Sequence, residues 1–94
     1  MSIRRIDANH AQIVSALRNV GAGVQSLASL GKGVPDLLVV FQRRLYLAEV
    51  KDGSKKPSAR RLTPDEAAWI ERWPGDVHII ESVDDAYRMI GIDV

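Results

Sequence analysis

Asp36, which closes Gly33-Val34-Pro35-Asp36, is followed thirteen residues later by Glu49 in Glu49-Val50-Lys51. Two carboxylates and an ammonium at this spacing can share one surface if the chain between them folds back on itself. Residues 36 to 41 and 45 to 51 are apolar and rich in strand-favouring types, with Gln42, Arg43 and Arg44 between them, a pattern that predicts a β-hairpin. With Gln42-Arg43 as a two-residue turn, Phe41 faces Arg44 and, counting outward, Asp36 faces Glu49. Directly opposed side chains lie on the same face with Cβ atoms roughly 4.5 to 5.5 Å apart. Lys51 joins them, because side chains repeat every second position along a strand. A slip of one residue would send the two acids to opposite faces.

Like charges directly opposed destabilise a strand pair, so the arrangement calls for a compensating partner. A hard divalent cation such as Mg²⁺ fits, since it takes oxygen ligands from one or two carboxylates and completes its shell with water and substrate phosphate. Lys51, beside two acids, is expected to keep its proton. It is therefore better suited to orientation and charge stabilisation than to work as a base.

The surrounding elements follow from periodicity and punctuation. Asp7 is placed as the N-cap of a first helix that carries Ile13, Ala16, Leu17 and Val20 at helical spacing and stops at Gly21. Val24 to Ala28 alternates weakly, as a first strand would. Leu37 to Phe41 is a continuous apolar run, expected of a central strand covered on both faces. Thr63-Pro64-Asp65-Glu66 matches a capping box, with Pro64 in the first helical position and Glu66 returning to the cap. Along that helix Ala67, Ile70 and Trp73 share a side with Trp69 adjacent, and Pro74-Gly75 ends it. The tryptophans are expected in the core or at a dimer contact, with base stacking as the sharper alternative. Val77 to Glu81 is a fourth strand. Ser82-Val83-Asp84-Asp85 opens a last helix as a second capping box, with its two acids stabilising the helix dipole and Val83, Ala86, Tyr87 and Ile90 inward.

Composition bounds what else the chain can be. Its 94 residues and 46% hydrophobic content suit a single domain, 1–94. Cysteine is absent, which removes disulfides, thiolate zinc sites and cysteine nucleophiles. His10 and His78 have no patterned partner and are not expected to act as ligands or bases. No apolar run approaches the roughly 20 residues of a membrane span, and no signal-peptide core is evident, so a soluble intracellular protein is expected. The net charge of +1 is unevenly spread: +3 over residues 1 to 50, +4 over 51 to 62 and −6 over 63 to 94. Cations gathered around the acidic pair suit a polyanion. Lys32, Lys55, Lys56, Arg60 and Arg61 are the candidate nucleic-acid contacts, the last four on a segment, 52–62, expected to be a mobile loop that orders on DNA.

On Gly33-Val34-Pro35-Asp36, Glu49-Val50-Lys51 and Leu62-Thr63-Pro64-Asp65-Glu66, in that order over nearly the whole chain, the sequence resembles the PD-(D/E)xK nucleases and, within them, the small phage-type VRR-Nuc domains. The resemblance implies an α/β, restriction-endonuclease-like core: a four-stranded mixed sheet flanked by helices, ordered αβββαβα. It implies a Mg²⁺- or Mn²⁺-dependent endonuclease in which Asp36, Glu49 and the Val50 backbone carbonyl hold the metal while Asp36, Glu49 and Lys51 are catalytic. Branched DNA, a Holliday junction or a flap, would be the substrate and a homodimer the working unit, in a phage or prophage protein acting in a bacterial cytoplasm. Family members often carry a glutamate on the first helix where this chain has Asn9 and Gln12, which makes Gln12 a candidate further ligand. They tend to have Gln where this chain has Glu66. The rival reading is a non-catalytic nucleic-acid-binding module that kept the same fold.

Overall fold

The hairpin turns on two left-handed residues, Gln42 at φ 49° and Arg43 at φ 68°, the pattern of a type I′ turn, whose twist matches that of the strands it joins. A computed structural model describes residues 8–94 of the chain. It pairs Phe41 with Arg44 and Leu37 with Ala48, the register that a two-residue turn predicts. Neither turn residue is the Asn or Gly that tolerates positive φ, and each left-handed side chain costs roughly 1–2 kcal/mol. Packing of Leu38 against Leu47 and Val39 against Tyr46 across the ladder offsets that strain. Gln42→Asn with Arg43→Gly should therefore stabilise the domain by about 1 kcal/mol, read as a rise in melting temperature of about 4–8 °C. An unchanged or lower melting temperature would contradict the turn assignment.

The elements run α1 (His10–Asn19), β1 (Gly23–Ser26), β2 (Leu37–Phe41), β3 (Arg44–Val50), α2 (Pro64–Arg72), β4 (His78–Ile80) and α3 (Val83–Met89). The expected order αβββαβα is present, with short 3₁₀ turns at Ala28–Leu30 and Pro57–Arg60 in addition. The sheet order is β1-β2-β3-β4. Its first three strands form an antiparallel meander, while β4 lies parallel to β3. A parallel neighbour requires a crossover, which the segment containing α2 provides.

Alternation along the strands sorts the two faces. Leu37, Val39, Ala48, Val50 and Ile80 are buried with Ile13 and Leu17 of α1, Ala86 of α3 and Ile90 in one core. The intervening residues, Leu38, Val40, Leu45, Leu47 and Glu49, point to the other face, where α2 lies. β2 is central as expected but is not covered evenly: its Val40 is 39% exposed, and Leu45, opposite it on β3, 69%. The nine-residue α2 reaches over the Asp36 end of the hairpin, and its tryptophans meet the middle of the strands.

Three local expectations are revised. Asp7 lies outside the described residues, and the residue preceding α1 is Asn9, whose side chain makes no cap hydrogen bond. On α2 the inward side is Glu66 with Trp69, Ile70 and part of Trp73, whereas Ala67 is exposed. Its stacked indoles lie 4.7 Å apart and line a groove of about 800 Å³ with Leu38, Leu45 and Leu47. At α3, Ser82 Oγ accepts from the Asp85 N–H at 3.1 Å, but the Asp85 carboxylate accepts from Glu81 N–H rather than returning to Ser82. This is a cap extended by one residue, not a capping box. No helix among the described residues is long and apolar enough to cross a membrane.

Candidate active site

The loop before β2 contains three consecutive left-handed residues, Gly31, Lys32 and Gly33, and is closed by Val34 N–H donating to Gly31 O. Gly33 also lies against the first turn of α2. A Cβ there would overlap the Asp65 carbonyl and stand 2.8 Å from Glu66 N. The absence of a side chain thus lets the start of α2 meet the start of β2. Pro35 is fully buried behind this junction.

One step outward from the last paired residues, Leu37 and Ala48, Asp36 and Glu49 come opposite each other, with Lys51 beyond. Asp36 Oδ2 accepts a hydrogen bond of 2.9 Å from Val50 N–H. Because the N–H and C=O of a strand residue point to the same side, the Val50 carbonyl is also directed toward β2 and Asp36. Glu49 is 2% exposed, and its Oε1 is buried without a hydrogen-bond partner. Burial, then the neighbouring Asp36 carboxyl and the carboxyl of Glu66, push the Glu49 pKa up to about 9. Lys51 is held between acids: its Nζ is 2.8 Å from Glu66 Oε1 and 3.8 Å from Glu49 Oε2.

Glu66 performs its expected capping role and more. Its Oε1 accepts from Thr63 N–H at 2.8 Å while Thr63 Oγ1 accepts from Glu66 N–H at 3.2 Å, and the same Oε1 meets Lys51. Burial raises its pKa, but the hydrogen bonds from Lys51 and Thr63 and the contact with Glu49 outweigh that and hold it below the ordinary range. The capping-box pattern explained Glu66 locally, so nothing in the sequence required it to reach Lys51.

The donor set suits a small hard cation. A buried carboxyl with an unsatisfied oxygen, an opposed carboxylate and a backbone carbonyl are the groups that such an ion takes. Among the described residues no three acidic or imidazole side chains form a ready cage, and Glu66 is engaged by Lys51. A cation would therefore rest on Asp36, Glu49 and Val50 O, leaving positions for water and substrate oxygens. Gln12 is on the exposed side of α1 and lines a different depression, of about 740 Å³, with Asn9, Asp52 and Glu81. Asn9 bridges strand ends, its Nδ2 donating to Lys51 O at 3.0 Å and to Glu81 O at 2.9 Å.

The cationic residues divide into two kinds. Lys32, Lys55, Lys56 and Arg61 are exposed. Arg60 is pinned instead: Nε donates to Lys55 O at 2.8 Å and Nη1 contacts Glu81 Oε2 at 2.9 Å. Segment 52–62, expected as a mobile loop, has structure of its own. Asp52 Oδ1 accepts from Ser54 N–H and Oγ, a 3₁₀ turn covers Pro57–Arg60, and Arg60 ties the segment to the end of β4.

No protein-family model and no curated protein matches the chain. Among solved structures it is similar to one described as a VRR_NUC domain, with 25% sequence identity over 87% of this chain and 94% of that chain and a TM-score of 0.62. With a mixed four-stranded sheet and helices on both faces, similar over nearly the full length of that neighbour, the chain has the fold of a VRR-Nuc domain, consistent with the PD-(D/E)xK superfamily.

Proposed function

We propose that this nuclease-type domain is a Mg²⁺- or Mn²⁺-dependent DNA endonuclease with Asp36, Glu49 and Lys51 at its centre. The observation that carries the reading is the opposed, buried Asp36–Glu49 pair, with Glu49 Oε1 unpartnered and Lys51 between Glu49 and Glu66. A binder of nucleic acid gains nothing from burying carboxylates next to phosphates, whereas a site for phosphodiester hydrolysis does. A divalent cation held by Asp36, Glu49 and the Val50 carbonyl would neutralise charge on the phosphoryl oxygens and acidify water.

The chain's own groups supply the rest. Asp36, anchored on Val50 N–H, is a preoriented acceptor. Glu49 must give up its proton to act as an oxyanion ligand. The Lys51 ammonium, held beside Glu49 and Glu66, would meet the negative charge that grows on the phosphate, and a donor fixed in advance stabilises that charge without reorganisation. Lys32, Lys55, Lys56 and Arg61 are exposed cations that would hold the flanking backbone.

Branched DNA and a homodimer belong to the same proposal. One compact site cuts one strand, so paired incisions call for two subunits, and Val40, Leu45 and Ile79 are exposed apolar residues on the sheet face that carries Glu49. The test is incubation of labelled junction, flap and linear DNA with Mg²⁺ or Mn²⁺, with light scattering on the same sample. Cutting should disappear with EDTA and fall by more than about 100-fold in Asp36→Ala, since even outer partners of metal ligands are worth about 10–100-fold. Retarded DNA with no product under every metal condition would favour the binding module instead.

A further inference from the structure

We propose that Glu66 is the positioning residue for Lys51: the oxygen that closes the cap of α2 also fixes the lysine ammonium at the site. The inference rests on the proposed function for the step that Lys51 serves. The tighter contact of Lys51 is not to Glu49 on its own strand but to Glu66, 2.8 Å against 3.8 Å. Lys51 and Glu66 are both buried, 8% and 7% exposed, so this is a charge-assisted hydrogen bond shielded from water, the short and directional kind. A lysine has a flexible four-carbon stem with a point charge at its end. Unless something external holds that end, a strand fixes only where the stem begins.

Glu66 is suited to hold it because it is itself fixed at three points. Its N–H donates to Thr63 Oγ1, its Oε1 accepts from Thr63 N–H, and the backbone at Asp65 and Glu66 abuts Gly33, where no side chain intervenes. Gly33 leads within three residues to Asp36. Docking of α2 on the loop before β2 therefore places Lys51 and Asp36 relative to each other. A capping role alone accounts for Thr63 and for the first turn of α2, but not for a buried ammonium on the same oxygen.

The experiment compares Glu66→Ala, Glu66→Gln, Glu66→Asp and Thr63→Ala in the full chain. Each is checked by thermal melting, then assayed for kcat and KM on one DNA substrate with Mg²⁺. Side-chain relaxation of the Lys51 ε-methylene is measured by NMR on the same variants without metal or DNA. Gln keeps both acceptor bonds, so it should stay within about fivefold of wild type. Ala, and Asp by falling one methylene short, should lower kcat by about 10- to 100-fold with KM little changed, the scale of a misplaced catalytic group. Both should free the Lys51 side chain. Thr63→Ala removes one of the three points that fix Glu66 but leaves both bonds to its Oε1, so its kcat and Lys51 mobility should change far less than those of Glu66→Ala. If Glu66→Ala does not fold, Glu66→Asp carries the comparison. Equal kcat and equal Lys51 mobility in Glu66→Asp, or Glu66→Ala, and Thr63→Ala would overturn the proposal and leave Glu66 as a cap. If the wild type fails to cut DNA, the proposed function fails while the relaxation measurement still decides the role of Glu66.

Discussion

Glu49→Gln should make the domain more stable at pH 8 while abolishing cleavage. In the folded chain the Glu49 carboxyl keeps its proton up to about pH 9, against an ordinary value of 4.5, so between those limits the folded state binds a proton that the unfolded state has released. Stability contributed by this group is fully present below about pH 4.5 and is lost as pH rises toward 9, at up to about 1.4 kcal/mol per pH unit. From pH 5 to 8 that amounts to roughly 4 kcal/mol, a large part of the roughly 5–15 kcal/mol of a small domain. Glutamine has the same shape, cannot ionise and can donate to the neighbouring acids. Its melting temperature should therefore exceed that of wild type by more than about 10 °C at pH 8 and match it closely at pH 5. Mg²⁺ should raise the wild-type melting temperature at pH 8 and leave the variant unmoved, because a ligand stabilises only the state that binds it. A wild-type curve that tracks the variant from pH 5 to 8 would show that Glu49 titrates normally.

That behaviour is rooted in a feature that was legible before any coordinates. The hairpin register followed from strand parity and a two-residue turn, and parity alone put Asp36 opposite Glu49 and Lys51 on their side. The α2 cap was legible for a similar reason, since Thr63, Pro64 and Glu66 are local signals that act within one turn of helix. What could not be read were pairings between residues that only packing brings together. Arg60 meets Glu81 across 21 positions, and Lys51 meets Glu66 across 15. Charge density near Lys51 made Arg60 a candidate nucleic-acid contact, but its guanidinium braces the segment against the end of β4. Likewise the apolar run of β2 implied cover on both faces, because hydropathy does not reveal that α2 leaves Val40 exposed.

Gly33→Ala should disable the site more severely than its size suggests. At φ 84° an alanine is strained by about 1–2 kcal/mol, and its Cβ would overlap the carbonyl of Asp65, which belongs to the first turn of a helix and cannot swing aside. Relief requires α2 to lift from the loop, adding about 1–3 kcal/mol of overpacking. The total, about 2–5 kcal/mol, should lower the melting temperature by about 10 °C or more. The loss of function should outrun the loss of stability. As the start of α2 moves away, Glu66 leaves Lys51, and the variant assayed well below its melting point should cut at least about 10-fold more slowly. Gly91→Ala separates strain from packing. Gly91 has φ 87° with nothing within 4 Å of where a Cβ would stand, so its substitution should cost about 1–2 kcal/mol with cleavage unchanged. If Gly33→Ala behaves like Gly91→Ala in both melting and turnover, the loop and α2 are not in register contact, and the route from β2 through Gly33 to Glu66 and Lys51 is broken.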